Sequence, residues 1–163
     1  MDLQIREYQD SWEAEIKSKL EAKFAGKLTV TGTQTRKVLA KVDKSIIKEL
    51  CLYVRDELSF EHCISVMGND LGDAEQKMEV IYHIENYTLY KGVILEFTVD
   101  LSYDELHIET VSDVWGGANW HERETWELYG IVFDNHPRLE RLLTPDNYEF
   151  FPFRKSYKLR EAQ

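Results

Sequence analysis

The chain of 163 residues carries 30 acidic and 20 basic side chains, a formal charge of −10, which excludes a general nucleic-acid binder because phosphate neutralisation needs clustered Lys and Arg. A hydrophobic fraction of 43% with 12% aromatic residues excludes a disordered chain, and no apolar run reaches the roughly 18 residues of a membrane-spanning helix. The length suits one domain burying roughly 70% of its unfolded surface, so any association with a membrane must pass through a partner. Met1 to Glu7 includes acids and lacks both a basic start before an apolar core and an arginine-rich presequence, so a cytoplasmic protein is expected.

Ile5, Tyr8, Trp12, Ile16, Leu20 and Phe24 recur at steps of three and four, predicting an amphipathic helix that Gly26 stops. Leu28 to Thr31 and Lys37 to Val42 read as short strands joined by a Gly- and Thr-containing turn. A second helix follows, capped by Asp43 and striped by Ile46, Ile47, Leu50, Cys51, Val54 and Leu58. His62 to Met67 is a further strand, ended by a polar loop from Gly68 to Asp73 that lacks the pattern of a calcium loop. In Met78 to Ile84 and Val93 to Val99 apolar residues alternate with polar ones, the period of a half-buried antiparallel sheet. Helix, strands, helix, strands in that order predict an α+β fold, mostly antiparallel with flanking helices.

Cys51 and Cys63 fall on the second helix and the third strand without CxxC spacing. Two thiols cannot ligate an ordinary iron–sulfur cluster, and a buried structural role is expected of both.

The most informative stretch is Ala118 to Tyr157. Asn119 and Glu122 have capping-box spacing, predicting a helix from about Trp120 that runs to Gly130, where a left-handed residue ends it. On that helix Trp120, Glu124 and Leu128 share a side, so Glu124 is expected among apolar neighbours, where it needs an arginine or backbone donors, and structural ion pairing of Arg123 with the flanking Glu122 and Glu124 is the favoured reading. Glu122, Glu124 and His121 could instead do acid–base work if burial separated the carboxyl pKa values. Two facts oppose this: adjacent helical residues project about 100° apart, and no nucleophile or phosphate loop accompanies them. The zinc-helix pattern also fails, since Thr125 stands where a second histidine is required.

Beyond the helix, Pro137 to Gln163 holds six basic residues (Arg138, Arg141, Arg154, Lys155, Lys158, Arg160) against four acidic ones, leaving twelve surplus negative charges on the rest of the chain. Tyr148, Phe150, Phe151, Phe153 and Tyr157 crowd the same segment. These features describe an extended tail whose aromatics either anchor a partner or fold back on their own sheet. Residues 1–136 are accordingly read as the α+β domain and 137–163 as a docking extension.

The order of residues in this stretch resembles the signature of the 30-kDa subunit family of respiratory complex I, whose bacterial members are its C subunits. Asn119, Trp120, Glu122, Arg123, Glu124, Tyr129, Gly130, Ile131, Phe133, His136, Pro137, Arg141, Leu142, Leu143, Pro145, Asp146, Pro152, Arg154, Lys155 and Tyr157 match it in order. Glu127, Asn135, Phe150, Phe153 and Ser156 depart from it, as in a branch outside the ordinary NADH-linked enzymes. The resemblance implies a structural subunit without catalytic, cofactor-binding or metal-ligating residues. It further implies packing against a hydrogenase-like large subunit and a small iron–sulfur subunit, peripheral to the cytoplasmic side of the cell membrane. Iron–sulfur clusters and a quinone or nickel–iron centre are expected in those partners, and an equivalent place in an energy-converting hydrogenase or related ion-pumping complex is the alternative.

Overall fold

The computed structural model describes residues 8, 9 and 11–158; Ile5 of the first predicted stripe and Arg160 of the tail lie outside them. The elements run α1 (Trp12–Lys23), β1 (Leu28–Gln34), β2 (Lys37–Val42), α2 (Ile47–Asp56), β3 (His62–Gly72), β4 (Lys77–Glu85), β5 (Ile94–Ser102), β6 (His107–Glu109), α3 (Ala118–Tyr129) and β7 (Val132–Asp134). Five strands form one sheet in the order β1-β2-β5-β4-β3, antiparallel except where β2 meets β5. A short parallel pair, β6 with β7, brackets α3. The α+β architecture predicted from the alternation is thus the one found.

Alternation decides which face is inside. Met78, Val80, Tyr82 and Ile84 of β4 and Leu95, Phe97, Val99 and Leu101 of β5 are all buried in one cluster, while the residues between them stay partly exposed. Trp12, Ile16 and Leu20 of α1 and Ile47, Leu50, Cys51 and Val54 of α2 join that cluster. Trp12 meets Tyr8 and Tyr90 edge to face, each at 5.7 Å between ring centroids, an arrangement that adds about 0.5–1.5 kcal/mol to the burial of the rings. Asp43 accepts from the Ser45 amide at 2.8 Å and so opens the 3-10 turn before α2. Both thiols are buried and unpaired with each other, as expected.

Two local predictions are corrected. Gly32 does not sit in the β1–β2 turn: the strand continues to Gln34 through a bulge between Val30 and Gly32, and Arg36 turns the chain at φ 61. The loop predicted from Gly68 is mostly strand, because β3 stays paired with β4 as far as Gly72. Gly68 is needed for close packing rather than for a turn. A Cβ there would stand 2.6 Å from Cδ2 of Tyr129, so its absence lets α3 settle on the outer strand. Thr125 of α3 also donates to the Val66 carbonyl at 3.0 Å, satisfying a group that the edge strand would otherwise leave unpaired.

Candidate docking surface

Three carboxylates, spaced along the chain, each hold a piece of distant backbone. Glu122 is fully buried, accepting from the Val111 amide at 2.7 Å and from the Thr110 hydroxyl, and so tying the end of β6 to α3. Burial pushes its carboxyl up to about 7 against the pull of those two donors. Nε2 of His136 lies 3.8 Å from it with neither side chain exposed, and burial holds that imidazole below its ordinary value.

Glu127, also fully buried, accepts from three consecutive amides, those of Leu142, Leu143 and Thr144, at 2.5 to 3.1 Å. Burial alone would raise its pKa, but these donors outweigh burial and hold it below the ordinary value. Asp70 accepts from Tyr103, from the Gly72 amide at 2.9 Å and from the Lys155 amide at 2.7 Å. It is likewise held low, its donors overcoming burial. Residues 142–144 are therefore fastened to α3 and Lys155 to the end of β3.

Three arginines line the surface so made. Arg123 donates to the carbonyls of Glu140 and Arg141 and lies 5.0 Å from the Trp120 ring. Arg141 bonds the Thr144 hydroxyl and the Tyr148 carbonyl and lies 5.5 Å from Trp126. Arg154 donates to the Tyr129 carbonyl at 2.6 Å and lies 4.3 Å from Phe151. Among the described residues none of the three has a carboxylate within ion-pairing distance. Trp120, Leu143, Phe150 and Phe153, each more than half exposed, supply apolar surface around them.

The predicted pairing of Arg123 with Glu122 and Glu124 is thus not found. Glu124 is exposed beside apolar neighbours, with no arginine in ion-pairing distance among the described residues, and Glu122 is spoken for by Thr110 and Val111. The predicted capping box is absent too: α3 starts at Ala118 after Gly117, with no side chain capping it. Asn119 contributes its carbonyl, which His136 approaches at 3.3 Å. Gly130 does end the helix in the left-handed region, at φ 79. Tyr129 is half-buried between Gly68 and Phe153, and Pro137 and the Lys155 side chain are exposed. Glu124 and His121 line a cleft of about 250 Å³ with Met67, Leu128 and Phe153, but Glu122 does not reach it. Among the described residues no group of three His, Cys, Asp or Glu side chains is placed to hold a metal ion.

Nothing in the sequence marks Asp70, Glu127 and Thr110 as anchors of distant segments. Their partners lie between 12 and 85 positions away, and no spacing rule signals that.

The fold is an α+β domain whose α3 and tail present arginines and aromatic rings on one surface. The profile of the respiratory-chain NADH dehydrogenase 30 Kd subunit matches residues 40–163. The chain belongs to that family. It is 40% identical over 141 residues to the C subunit of the F(420)H(2) dehydrogenase of Methanosarcina mazei, covering 85% of this chain and 87% of the relative. It is 39% identical over 121 residues to the C subunit of the NADH-quinone oxidoreductase of Saccharopolyspora erythraea, covering 72% of this chain but only 48% of the relative, so it spans about half the length of that protein. In fold it is similar to a chain of the membrane-bound sulfane sulfur reductase, an archaeal respiratory membrane complex, with a TM-score of 0.76 at 21% identity over 90% of this chain and 85% of the other.

Proposed function

We propose that the chain is an accessory structural subunit in the hydrophilic arm of a membrane-bound, complex I-like oxidoreductase. Family membership over residues 40–163 carries this reading, and the exposed aromatic and guanidinium surface of α3 and the tail supports it as the place of attachment. The partners are the hydrogenase-like large subunit and the small iron–sulfur subunit, which hold the clusters and the quinone or nickel–iron centre. This chain holds no redox group and contributes shape. No described helix is long and apolar enough to cross a membrane. In this reading the chain attaches peripherally, through partners, on the cytoplasmic side.

The particular donor is a second question. The higher identity to one subunit of an F(420)H(2) dehydrogenase than to C subunits of NADH-quinone oxidoreductases matched over the same extent supports a parent complex fed by a donor other than NADH.

The test uses the tagged full chain in its native host. Membranes solubilised in mild detergent should release it in one large assembly that transfers electrons, whereas the purified chain alone should transfer none. Turnover by the isolated chain, or a tagged chain found only as monomer, contradicts the proposal.

A further inference from the structure

The tail contains a groove that attachment in general does not explain. Residues 148–158 enclose an open space of about 720 Å³, walled by Tyr148, Phe150, Phe151 and Tyr157 and bearing Arg154 and Lys158. Its rings are already set: the hydroxyls of Tyr148 and Tyr157 are hydrogen-bonded at 2.9 Å, and Phe150 lies 5.7 Å from one ring and 6.4 Å from the other. A groove formed before binding gives up little side-chain freedom when it is filled.

Glu149 stands in the same lining, but among the described residues neither Arg154 nor Lys158 has a carboxylate in ion-pairing distance. Arg154 spends its Nε proton on the Tyr129 carbonyl, and its two Nη groups make no hydrogen bond among the described residues. Asp70, whose charge acts on Arg154, is occupied by Tyr103, Gly72 and Lys155. Arg141, 6.0 Å from the Tyr148 ring, has no carboxylate in ion-pairing distance among the described residues either. Burial depresses the Arg154 pKa against the opposing pull of Asp70. In a chain with a ten-charge acidic surplus, leaving these guanidinium groups unmatched is costly unless an anion arrives from outside.

We propose that this groove receives an acidic segment of a partner protein in the assembly, a carboxylate of which meets Arg154 and Lys158 while its apolar neighbours cover Phe150 and Tyr157. The inference rests on the accessory-subunit reading and adds the chemistry of what the tail grips. A guanidinium takes a carboxylate in a two-pronged bond, and the ring walls exclude water around it. An anionic lipid surface is the poorer match. Membrane attraction needs several mobile cations projecting together, whereas Arg154 is fixed by Tyr129, Glu149 stands in the same lining, and the rest of the chain carries twelve surplus negative charges.

Zero-length carbodiimide cross-linking of the solubilised assembly tests it, because an amide forms only where an amine touches a carboxylate. Lys158 should join an Asp or Glu of a partner protein, and Lys158→Arg should remove that cross-link while the chain is still recovered in the assembly. Arg154→Lys, which places a second amine in the groove, should gain a cross-link to the same partner segment. Cross-links confined to this chain's own carboxylates, Glu149 or Glu161 included, overturn the proposal. So does flotation of the purified chain with phosphatidylglycerol vesicles at about 0.15 M salt, where a mainly lipid-directed tail would still bind. A chain absent from any assembly overturns both this inference and the function on which it rests, and the protein composition of the same sample shows which has failed.

Discussion

Replacing Glu127 removes the one acceptor that fastens residues 142–144 to α3. Three amides lose their partner together. A hydrogen bond to a charged group contributes about 1.5–3 kcal/mol, yet these three share two oxygens and the amides can take up water, so Glu127→Ala should cost about 3–5 kcal/mol rather than the full sum. In a chain of this size that lowers Tm on the order of 10 °C. Glu127→Gln keeps one good acceptor and should lose about 1–2 kcal/mol. Because Glu127 titrates below its ordinary value in the folded chain, its contribution is complete above the unfolded carboxylate pKa of about 4.3 and disappears as pH falls through the lower folded value. Thermal unfolding of the purified chain at pH 7 and across pH 3 to 5 reads both effects: the Gln variant should lose less stability than wild type on acidification. Glu124→Ala, at an exposed position of the same helix, should stay within about 0.5 kcal/mol of wild type. If Glu127→Ala melts within about 2 °C of wild type, far short of the shift such a loss implies, then 142–144 is not held as described.

Other consequences follow from the same contacts. Gly68→Ala drives a methyl group into the Tyr129 ring and should cost roughly 1–3 kcal/mol, with Tyr129→Leu recovering part of the loss; additive losses in the double variant would refute the contact. The Tyr82 hydroxyl is buried without a partner, so Tyr82→Phe should leave stability unchanged or raise it by roughly 1 kcal/mol, and a clear fall would show that the hydroxyl is bonded after all. Glu122, whose folded pKa of about 7 lies above its unfolded value, favours the folded state most at low pH, and that advantage is lost as pH rises from about 4.3 to 7. Glu122→Gln should therefore show a flatter decline than wild type over that window. Comparing the two chains is required because His136 titrates with the opposite sign, and identical slopes would refute the raised pKa.

What could be read in advance was local. The Asp43 cap, the stripe of α2, the alternation of β4 and β5 and the left-handed stop at Gly130 each depend on residues within a few positions, so spacing alone reveals them. The capping box failed for the converse reason. Glu122 has the correct offset from Asn119, but Thr110 and Val111 take its carboxylate across eleven and twelve residues. Arg123 likewise turns from its neighbours toward carbonyls 17 and 18 residues on. The Asn-Asp-Leu-Gly-Asp run from Asn69 carries turn residues, and pairing with β4 keeps most of it in the strand.

The claim that α3 and the tail are the attachment surface is tested most directly by hydrogen–deuterium exchange on the chain, free and within its native assembly. The account predicts that added protection concentrates at 140–144 and 148–158 and around Trp120, while the open face of the sheet, where Lys37, His83 and Glu96 already pair with one another, exchanges equally in both states. Protection gained on that sheet face, with the tail unchanged, would contradict it.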